Sequence, residues 1–160
     1  MSEATTGLPE PVMTPDQLNE FLAAAFQSEI NPTDYRVTDV RRGQVSVRLV
    51  PEARHLRPGD TVAGPVLFAL VDVAAYVAVL SHSGPHNVQA VTTSATTNFL
   101  VRPELGPLGC TCRLLKLGRR LAVCDAIVHD QRGVAVLSAS LTYAVPPAPS
   151  GPAPSGTSQS

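Results

Sequence analysis

The feature that most constrains the fold is a long apolar segment that begins at Gly64-Pro65 and runs to residue 82. Proline fits the first turn of a helix, and residues that are apolar on nearly every side are typical of a buried helix. A membrane span is the rival interpretation. However, the 15 residues 66–80 are fewer than the roughly 20 that a bilayer needs, and Asp72 near their middle would cost about 2.5–3.5 kcal/mol. The sequence therefore predicts a core helix that the rest of the domain covers.

The chain after this helix has the pattern of β-strands. Residues 88–101 are rich in Val and Thr, and apolar residues alternate with others over 108–114. Further strands are predicted at 121–128 and 135–145, because apolar side chains there recur at every second position. Short turns such as Gly118-Arg119 would join these strands into an antiparallel meander.

One helix and two strands are predicted ahead of the long helix. The sequence Thr-Pro-Asp-Gln at 14–17 predicts a helix start with a capping box, and Asn31-Pro32 would end that helix. Strands follow at 35–40 and 45–49, and 51–63 is predicted to be a loop. Helices that stand apart from a run of strands indicate an α+β domain.

Both chain ends are poor in large apolar residues. Residues 146–160 consist mostly of Pro, Ser and Gly and carry no charged side chain, so we expect a disordered tail. Residues 1–13 are predicted to be a flexible N-terminus. The folded domain is then 14–145.

Charge and cysteine content exclude several classes of function. The net charge of −1 rules out the broad basic field that would bind nucleic acid or an anionic membrane. Charged residues make up only 16% of the chain, which favours an oligomer that covers part of the surface. Three cysteines and no recognisable signal peptide argue against a disulfide framework and favour the cytoplasm. Neither Cys110-X-Cys112 nor the histidines have the spacing of a metal site.

Asp72 is the candidate for chemistry, because it is the only charged residue in the 21 positions 61–81. A carboxylate in a buried helix costs several kcal/mol unless it is paired or used. It would then be either an acid held by hydrogen bonds, for example at a subunit interface, or a catalytic group. The helix N-terminus at Gly64 favours catalysis, because free N–H groups there can stabilise an oxyanion. Pro65 has no N–H, so the donors would be Gly64, Val66 or Leu67.

Two segments carry a resemblance to a known family. Residues 64–74, GPVLFALVDVA, and 98–103, NFLVRP, resemble two motifs of the PaaI-type hotdog acyl-CoA thioesterases, with Val101 as an extra residue. The resemblance implies a hotdog fold, in which a long central helix is wrapped by an antiparallel β-sheet. It also implies a homodimer that can pair into a tetramer, and an acyl-CoA substrate with no cofactor beyond the coenzyme A that the substrate carries.

The resemblance also implies roles for single residues. Asp72 would act as general base or nucleophile, the N–H of Gly64 would form the oxyanion hole, and a hydroxyl from Thr92 or Thr93 would assist. Three positions depart from the family: Ala63 replaces its histidine, Pro65 its second glycine, and Arg57 stands near its asparagine. We expect Arg57 to face the substrate or to pair with the carboxylate.

The remaining predicted contacts concern the two ends of the substrate. Phe68, Tyr76 and Phe99 would either line the acyl group or belong to the core. Arginine suits the phosphates of coenzyme A, and Arg102 and Arg119 are candidates, with Lys116 and Arg120 nearby. The alternative is that these four are solvated charges at strand ends and turns.

Two alternative functions remain open at this point. One is a hotdog protein that binds acyl-CoA without turnover, which the departures at 57, 63 and 65 favour. The other is a hotdog hydratase or dehydratase, which the missing histidine beside Gly64 disfavours.

Overall fold

The computed structural model of the chain describes residues 7–26 and 34–147. Six antiparallel strands form one sheet, and a long helix packs across one of its faces. The elements, in chain order, are α1 Pro15–Ala25, β1 Tyr35–Arg41, β2 Gln44–Leu49, β3 Leu56–Arg57, β4 Thr61–Val62, α2 Gly64–Ser83, β5 Val91–Phe99, β6 Leu108–Leu117, β7 Leu121–His129 and β8 Ala135–Ala144. This is the predicted α+β hotdog arrangement, and it is confirmed.

The start of α1 has the predicted capping box. The N–H of Gln17 donates to Oγ1 of Thr14 at 3.3 Å, and the N–H of Thr14 donates to Oε1 of Gln17 at 2.9 Å. The helix ends earlier than predicted, at Ala25, because Phe26 is extended and its ring meets Tyr76 edge-on. The predicted stop at Asn31-Pro32 lies outside the described residues.

The sheet has the strand order β1-β2-β6-β7-β8-β5. The predicted meander is correct for β6, β7 and β8 but wrong for β5, which pairs with β8 instead of β6. The reason is that β2 already occupies the other edge of β6, with Val45 opposite Cys112. β5 therefore forms an edge of the sheet, and most of its side chains are exposed.

Helix α2 packs mainly against β6, β7 and β2. Its buried residues include Leu70, Val71 and Ala74, which face alternating apolar side chains of the sheet such as Cys112 and Cys124. With 20 residues, α2 is long and apolar enough to cross a membrane by length and composition, so the sequence argument from length does not hold. Over half of its most apolar window is nevertheless buried inside the fold, as expected for a core helix.

The segments that flank α2 fix its two ends. The predicted loop 51–63 contains the hairpin of β3 and β4, and the N–H of Ala63 donates to the carbonyl of His55 at 2.9 Å. At the other end, Nε2 of His82 accepts the N–H of Gly43 at 2.8 Å, which ties the β1–β2 turn to the helix.

The N-terminal segment is partly ordered. Leu8 is buried, and the N–H of Val12 donates to the carbonyl of Ser81 at 2.7 Å. Residues 7–13 thus pack on the fold, although a flexible segment was predicted for 1–13. Residues 1–6 and most of the predicted tail, 148–160, lie outside the described residues.

Candidate active site

Asp72 lies where α2 faces β5 and β8. Its Oδ1 accepts two short hydrogen bonds, one from Oγ1 of Thr92 and one from the hydroxyl of Tyr143, both at 2.6 Å. The same tyrosine hydroxyl also lies 2.9 Å from the main-chain oxygen of Asp72. Among the described residues, nothing donates to Oδ2. One carboxylate oxygen is therefore held in place and the other is available.

Tyr143 can act here only as a hydrogen-bond donor. Its side chain is 2% exposed. Burial, and then the negative charge of Asp72, raise the pKa of Tyr143 well above its usual value. The hydroxyl therefore keeps its proton and directs it at the carboxylate, which orients Asp72.

The sheet register explains why these hydroxyls meet. Thr92 on β5 lies directly opposite Tyr143 on β8, so both side chains project from the same face of the sheet. A β-bulge between Thr92 and Ser94 then shifts the next residue out of line. Thr93 donates to the carbonyl of Thr142 at 3.1 Å. Of the two threonines predicted from the resemblance, the structure brings Thr92 to Asp72 and leaves Thr93 apart.

A largely apolar cavity of about 490 Å³ adjoins Asp72. It lies between α1, α2 and the start of β5, and the predicted Tyr76 lines it, with its hydroxyl bound to the carbonyl of Val88 at 2.9 Å. The other two predicted acyl contacts, Phe68 and Phe99, do not line this cavity. The apolar lining residues are Leu22, Phe26, Tyr35, Val73, Tyr76, Val88, Ala90 and Val91.

The N-terminus of α2 borders a second cavity, of about 430 Å³. The N–H groups of Val66 and Leu67 both donate to the carbonyl of Ala63, at 3.0 and 3.2 Å. Val66 and Leu67 are therefore not the free donors that the sequence allowed. The N–H of Gly64 makes no hydrogen bond to the described residues, so it is the available donor at this end.

Three of the other residues that line this second cavity are polar or cationic, namely Arg57, Thr61 and Arg102. Arg102 also donates to the carbonyl of Gly59. Thr61 is 8% exposed, and its Oγ1 has no hydrogen-bond partner among the described residues. The ring of Phe99 lies over Gly64, where an added Cβ would be 3.5 Å from it. The cavity thus offers donors to an anionic or carbonyl oxygen.

The two predicted catalytic groups do not meet within one chain. Gly64 and Asp72 are eight residues apart on one helix, or about 12 Å along its axis. The two cavities also share no lining residue. Arg119 lies in a third cavity, beyond the C-terminal end of α2.

Sequence reasoning missed Tyr143 as a functional residue. It was expected only as one member of the apolar face of the last strand. The signal that could have found it is its hydroxyl, which is the one polar group on that face of 135–145. Its partner on α2 is 71 residues away in the chain, so the pattern of either segment alone does not link the two.

Sequence reasoning also missed a cluster beside the β3–β4 hairpin. The side chains of His55 and Asp34 are 6% and 8% exposed, their Nε2 and Oδ2 atoms lie 3.1 Å apart, and Arg54 pairs with the same carboxylate. Because Nδ1 of His55 accepts the N–H of Glu52 at 2.8 Å, Nε2 carries the proton and donates to Asp34. With these partners engaged, the cluster anchors the loop. The described residues contain no group of three or more His, Cys, Asp and Glu that could hold a metal ion.

Comparisons with known proteins agree with this fold. The family model described as the thioesterase superfamily matches residues 59–137. A candidate thioesterase from Silicibacter sp. TM1040 is 38% identical over 86% of this chain and 95% of its own, with a TM-score of 0.75. The chain belongs to the thioesterase superfamily.

Two further thioesterase structures resemble the chain at lower identity. A thioesterase from Haemophilus influenzae is 16% identical over 91% of this chain and 99% of its own, with a TM-score of 0.77. A hypothetical thioesterase from Streptococcus pneumoniae, solved with coenzyme A, is 25% identical over 82% and 97%, with a TM-score of 0.67. The search of curated proteins finds no match.

Membership of the thioesterase superfamily supports thioester hydrolysis as the general chemistry of this chain. The matched segment contains Gly64, Asp72 and Thr92 but ends before Tyr143. The second hydroxyl on the carboxylate is thus a feature that only the coordinates reveal.

Proposed function

We propose that the protein hydrolyses acyl-CoA thioesters, with Asp72 as general base or nucleophile, as in the PaaI-type family. The observation that carries the proposal is the asymmetry of the carboxylate. Oδ1 is held by Thr92 and Tyr143, while Oδ2 accepts no hydrogen bond from the described residues, and Asp72 borders an apolar cavity. The coenzyme A bound to the Streptococcus pneumoniae structure supports this substrate class.

The reaction needs one base and one oxyanion donor. In the base-catalysed form, Oδ2 takes a proton from water while the oxygen of that water adds to the thioester carbon. The carbonyl oxygen becomes an oxyanion, which a backbone N–H stabilises. The carbon–sulfur bond then breaks, and protonated Asp72 returns its proton to the thiolate of coenzyme A. The products are the free acid and coenzyme A.

Direct attack by Oδ2 on the thioester carbon is the covalent form of the same reaction. The carbon–sulfur bond breaks, coenzyme A leaves as its thiolate, and the acyl group forms an anhydride with Asp72. Water then hydrolyses the anhydride, which releases the free acid and regenerates Asp72, and the proton from that water goes to the thiolate. The orientation of the carboxylate serves both forms, because each requires a free Oδ2 beside the substrate.

The oxyanion donor would come from a second copy of the chain. If two α2 helices pack antiparallel about a two-fold axis at residue 68, Gly64 of the partner subunit lies beside Asp72. Phe68 is 37% exposed at that midpoint, which suits an interface. Large apolar side chains at and after the end of the edge strand β5 are exposed as well, namely Phe99, Leu100 and Val101. A homodimer would cover these surfaces and complete two sites.

The Asp72 cavity and the Gly64 cavity suit different parts of the substrate. The apolar cavity at Asp72 suits an uncharged acyl group, with Tyr76 in its wall. Arg57 is exposed, forms no ion pair with the described residues, and shares a cavity with Gly64. In the dimer, Arg57 of the partner subunit would face the substrate near the oxyanion. Pairing of dimers into tetramers and the cytoplasmic location stay predictions.

The test is thiol release from short, medium, long and aryl acyl-CoAs by wild type and Asp72→Asn. Loss of turnover in the variant supports the proposal, and Asp16→Asn on the exposed side of α1 is the matched control. The three cysteines are buried, and burial raises the pKa of Cys110 to about 12, so the native protein should give a low blank with a thiol reagent. Normal turnover by Asp72→Asn would refute the assignment.

A protein that binds acyl-CoA without turnover is the second candidate function. The observation that favours it is the separation of Gly64 from Asp72 in the single chain, together with Ala63 and Pro65 at the helix start. It predicts calorimetric binding of acyl-CoA with no thiol release from any member of the panel. A hydratase is less favoured, because no histidine is found among the described residues that line the Asp72 cavity or the Gly64 cavity.

A further inference from the structure

The pair of His55 and Asp34 has no part in the chemistry proposed above. Neither residue lines the cavity at Asp72 or the cavity at Gly64. Both side chains are nonetheless less than a tenth exposed and are hydrogen-bonded to each other. Hydrogen bonding by Arg54 holds the pKa of Asp34 below its ordinary value. The carboxylate is therefore charged near neutral pH, which makes it a strong acceptor for the N–H of His55.

The hairpin that leads to Gly64 has little backbone pairing of its own. In β3 and β4, Leu56 pairs with Val62 and Arg57 pairs with Thr61. Among the described strands, these two form a separate sheet that is not hydrogen-bonded to the six-stranded sheet. A two-stranded hairpin by itself is at best marginally stable in water. The position of this hairpin relative to α2 therefore depends on contacts from outside it.

Side chains hold the hairpin at its base and at its tip. At the base, Nδ1 of His55 accepts the N–H of Glu52 at 2.8 Å, and Nε2 donates to Oδ2 of Asp34 at 3.1 Å. Asp34 directly precedes β1, so the imidazole ring joins the base of the hairpin to the main sheet. At the tip, Arg102 donates to the carbonyl of Gly59.

The base of the hairpin is also the point from which the candidate oxyanion donor extends. The carbonyl of His55 accepts the N–H of Ala63 at 2.9 Å. Ala63 is the N-cap of α2 and directly precedes Gly64. The N–H of Gly64 belongs to the peptide group that joins these two residues. Because that group is planar, the placement of Ala63 helps to set where this N–H lies and points.

We propose that His55, held by Asp34, is a positioning residue for the reaction: it fixes the base of the hairpin and thereby the N–H of Gly64. The inference rests on the proposed function for the role of Gly64 as oxyanion donor. Such a donor acts over a hydrogen-bond distance of about 2.7–3.1 Å to the oxyanion. A misplacement of about 1 Å can cost about 100-fold in rate. A loosened hairpin should therefore lower kcat, although His55 does not touch the substrate.

The first experiment removes the imidazole ring and both of its hydrogen bonds. In His55→Ala we expect kcat to fall about 10–100-fold, while KM stays within about twofold, because the donor acts on the transition state. His55→Gln can still donate to Asp34 but has no acceptor for the N–H of Glu52, so its kcat should lie between those of wild type and His55→Ala. His86→Ala, at an exposed position, is the matched control and should leave kcat and KM unchanged.

A double-mutant cycle with Gly64→Pro separates positioning from a general loss of structure. If His55 acts through the N–H of Gly64, His55→Ala should lower kcat by no more than about twofold in the Gly64→Pro protein, where that N–H is already absent. The full loss of about 10–100-fold in that background would overturn the inference. So would a kcat equal to that of wild type in His55→Ala alone. If His55→Ala does not fold, His55→Gln takes its place in the cycle.

Amide hydrogen exchange tests the positioning without turnover. In His55→Ala the amide of Ala63 should exchange about tenfold or more faster than in wild type, while the amides of β7 keep their rates. If no thioester is hydrolysed but this local change is seen, the proposed function fails and the positioning of the helix start by His55 stands. If hydrolysis is normal and exchange at Ala63 is unchanged, the inference fails alone. Faster exchange throughout β7 would assign His55 to overall stability and would also overturn the inference.

Discussion

The hydroxyl of Tyr143 donates to Oδ1 of Asp72 at 2.6 Å and thereby joins the last strand of the sheet to the middle of the central helix. A second hydroxyl, from Thr92, binds the same oxygen at the same distance. Two donors on one oxygen fix the rotation of the carboxylate and leave Oδ2 without a donor in the part of the chain that the structure describes. The orientation of the candidate base is therefore set by the sheet rather than by the helix that carries it.

Tyr143→Phe should lower kcat about 10–100-fold, the cost of one lost hydrogen bond to a charged group. The KM should change little, because the ring still fills its place in the core. Steady-state kinetics of wild type and variant on one acyl-CoA, with the melting temperature as a folding check, measures this. A kcat within about twofold of wild type would mean that Tyr143 has only a packing role.

Thr92→Val and Thr93→Val form a matched pair on adjacent residues of β5. Only Thr92 donates to Asp72, whereas Thr93 donates to the carbonyl of Thr142. We expect Thr92→Val to reduce kcat by about tenfold or more and Thr93→Val to leave it within about twofold. Steady-state kinetics of the two variants on one substrate measures the two kcat values. The reverse order of effects would place the assisting hydroxyl at Thr93.

Gly64 offers a test of the backbone donor. Gly64→Pro removes the N–H at a position where proline suits the first turn of a helix, and Ala63 before it already has the extended backbone that proline requires. We expect kcat to fall about 100–1,000-fold, as for other lost oxyanion donors. Gly64→Ala keeps the N–H, and its Cβ would make an ordinary contact with Phe99. Equal activity of the two variants would exclude this N–H as the donor.

The same variant tests whether each site spans two subunits. When Asp72→Asn and Gly64→Pro chains are refolded together in equal amounts, half of the dimers are mixed. Each mixed dimer then has one intact site if Asp72 works with Gly64 of the partner subunit. Roughly a quarter of wild-type activity should return. A site within one chain predicts no recovery, because every chain in the mixture carries a defect.

His82 should make stability depend on pH. Burial lowers the pKa of His82 below its ordinary value of 6.5, and its Nε2 accepts the N–H of Gly43 only when unprotonated. As the pH falls below about 6.5, His82 becomes protonated in the unfolded chain before it does so in the folded protein. The free energy of unfolding should therefore fall as the pH decreases towards the lower pKa that His82 has in the folded protein. Urea unfolding at pH 7.5 and 5.5 measures this.

A matched pair of variants isolates the contribution of His82 to that slope. His82→Gln removes the titrating group and should flatten the dependence of stability on pH, whatever its effect at neutral pH. His86→Gln, at an exposed position, should leave the dependence as in wild type. An identical slope in wild type and His82→Gln would assign the effect to other groups.

The sequence was sufficient for features that arise from local pattern. The capping box at Thr14 and the alternating strands from residue 108 onward follow from spacing alone, because helices and strands place side chains at fixed periods. Asp72 was identifiable because a lone charge in an apolar helix requires a reason. The hotdog fold came from a resemblance and is confirmed. The same resemblance implied a hydroxyl from Thr92 or Thr93 and supported Gly64 as the donor, and these roles stay predictions.

The tertiary structure decided what depends on distant segments. Strand β5 pairs with β8, not with β6, because β2 occupies the remaining edge of β6. That pairing places Thr92 opposite Tyr143 and brings both hydroxyls to Asp72. The structure also places Gly64 and Asp72 in separate cavities. The reason is that a helix holds residues eight positions apart at a fixed distance of about 12 Å. The spacing of apolar residues and the composition determined the helices and strands. Only the packing of these elements determined which polar groups meet.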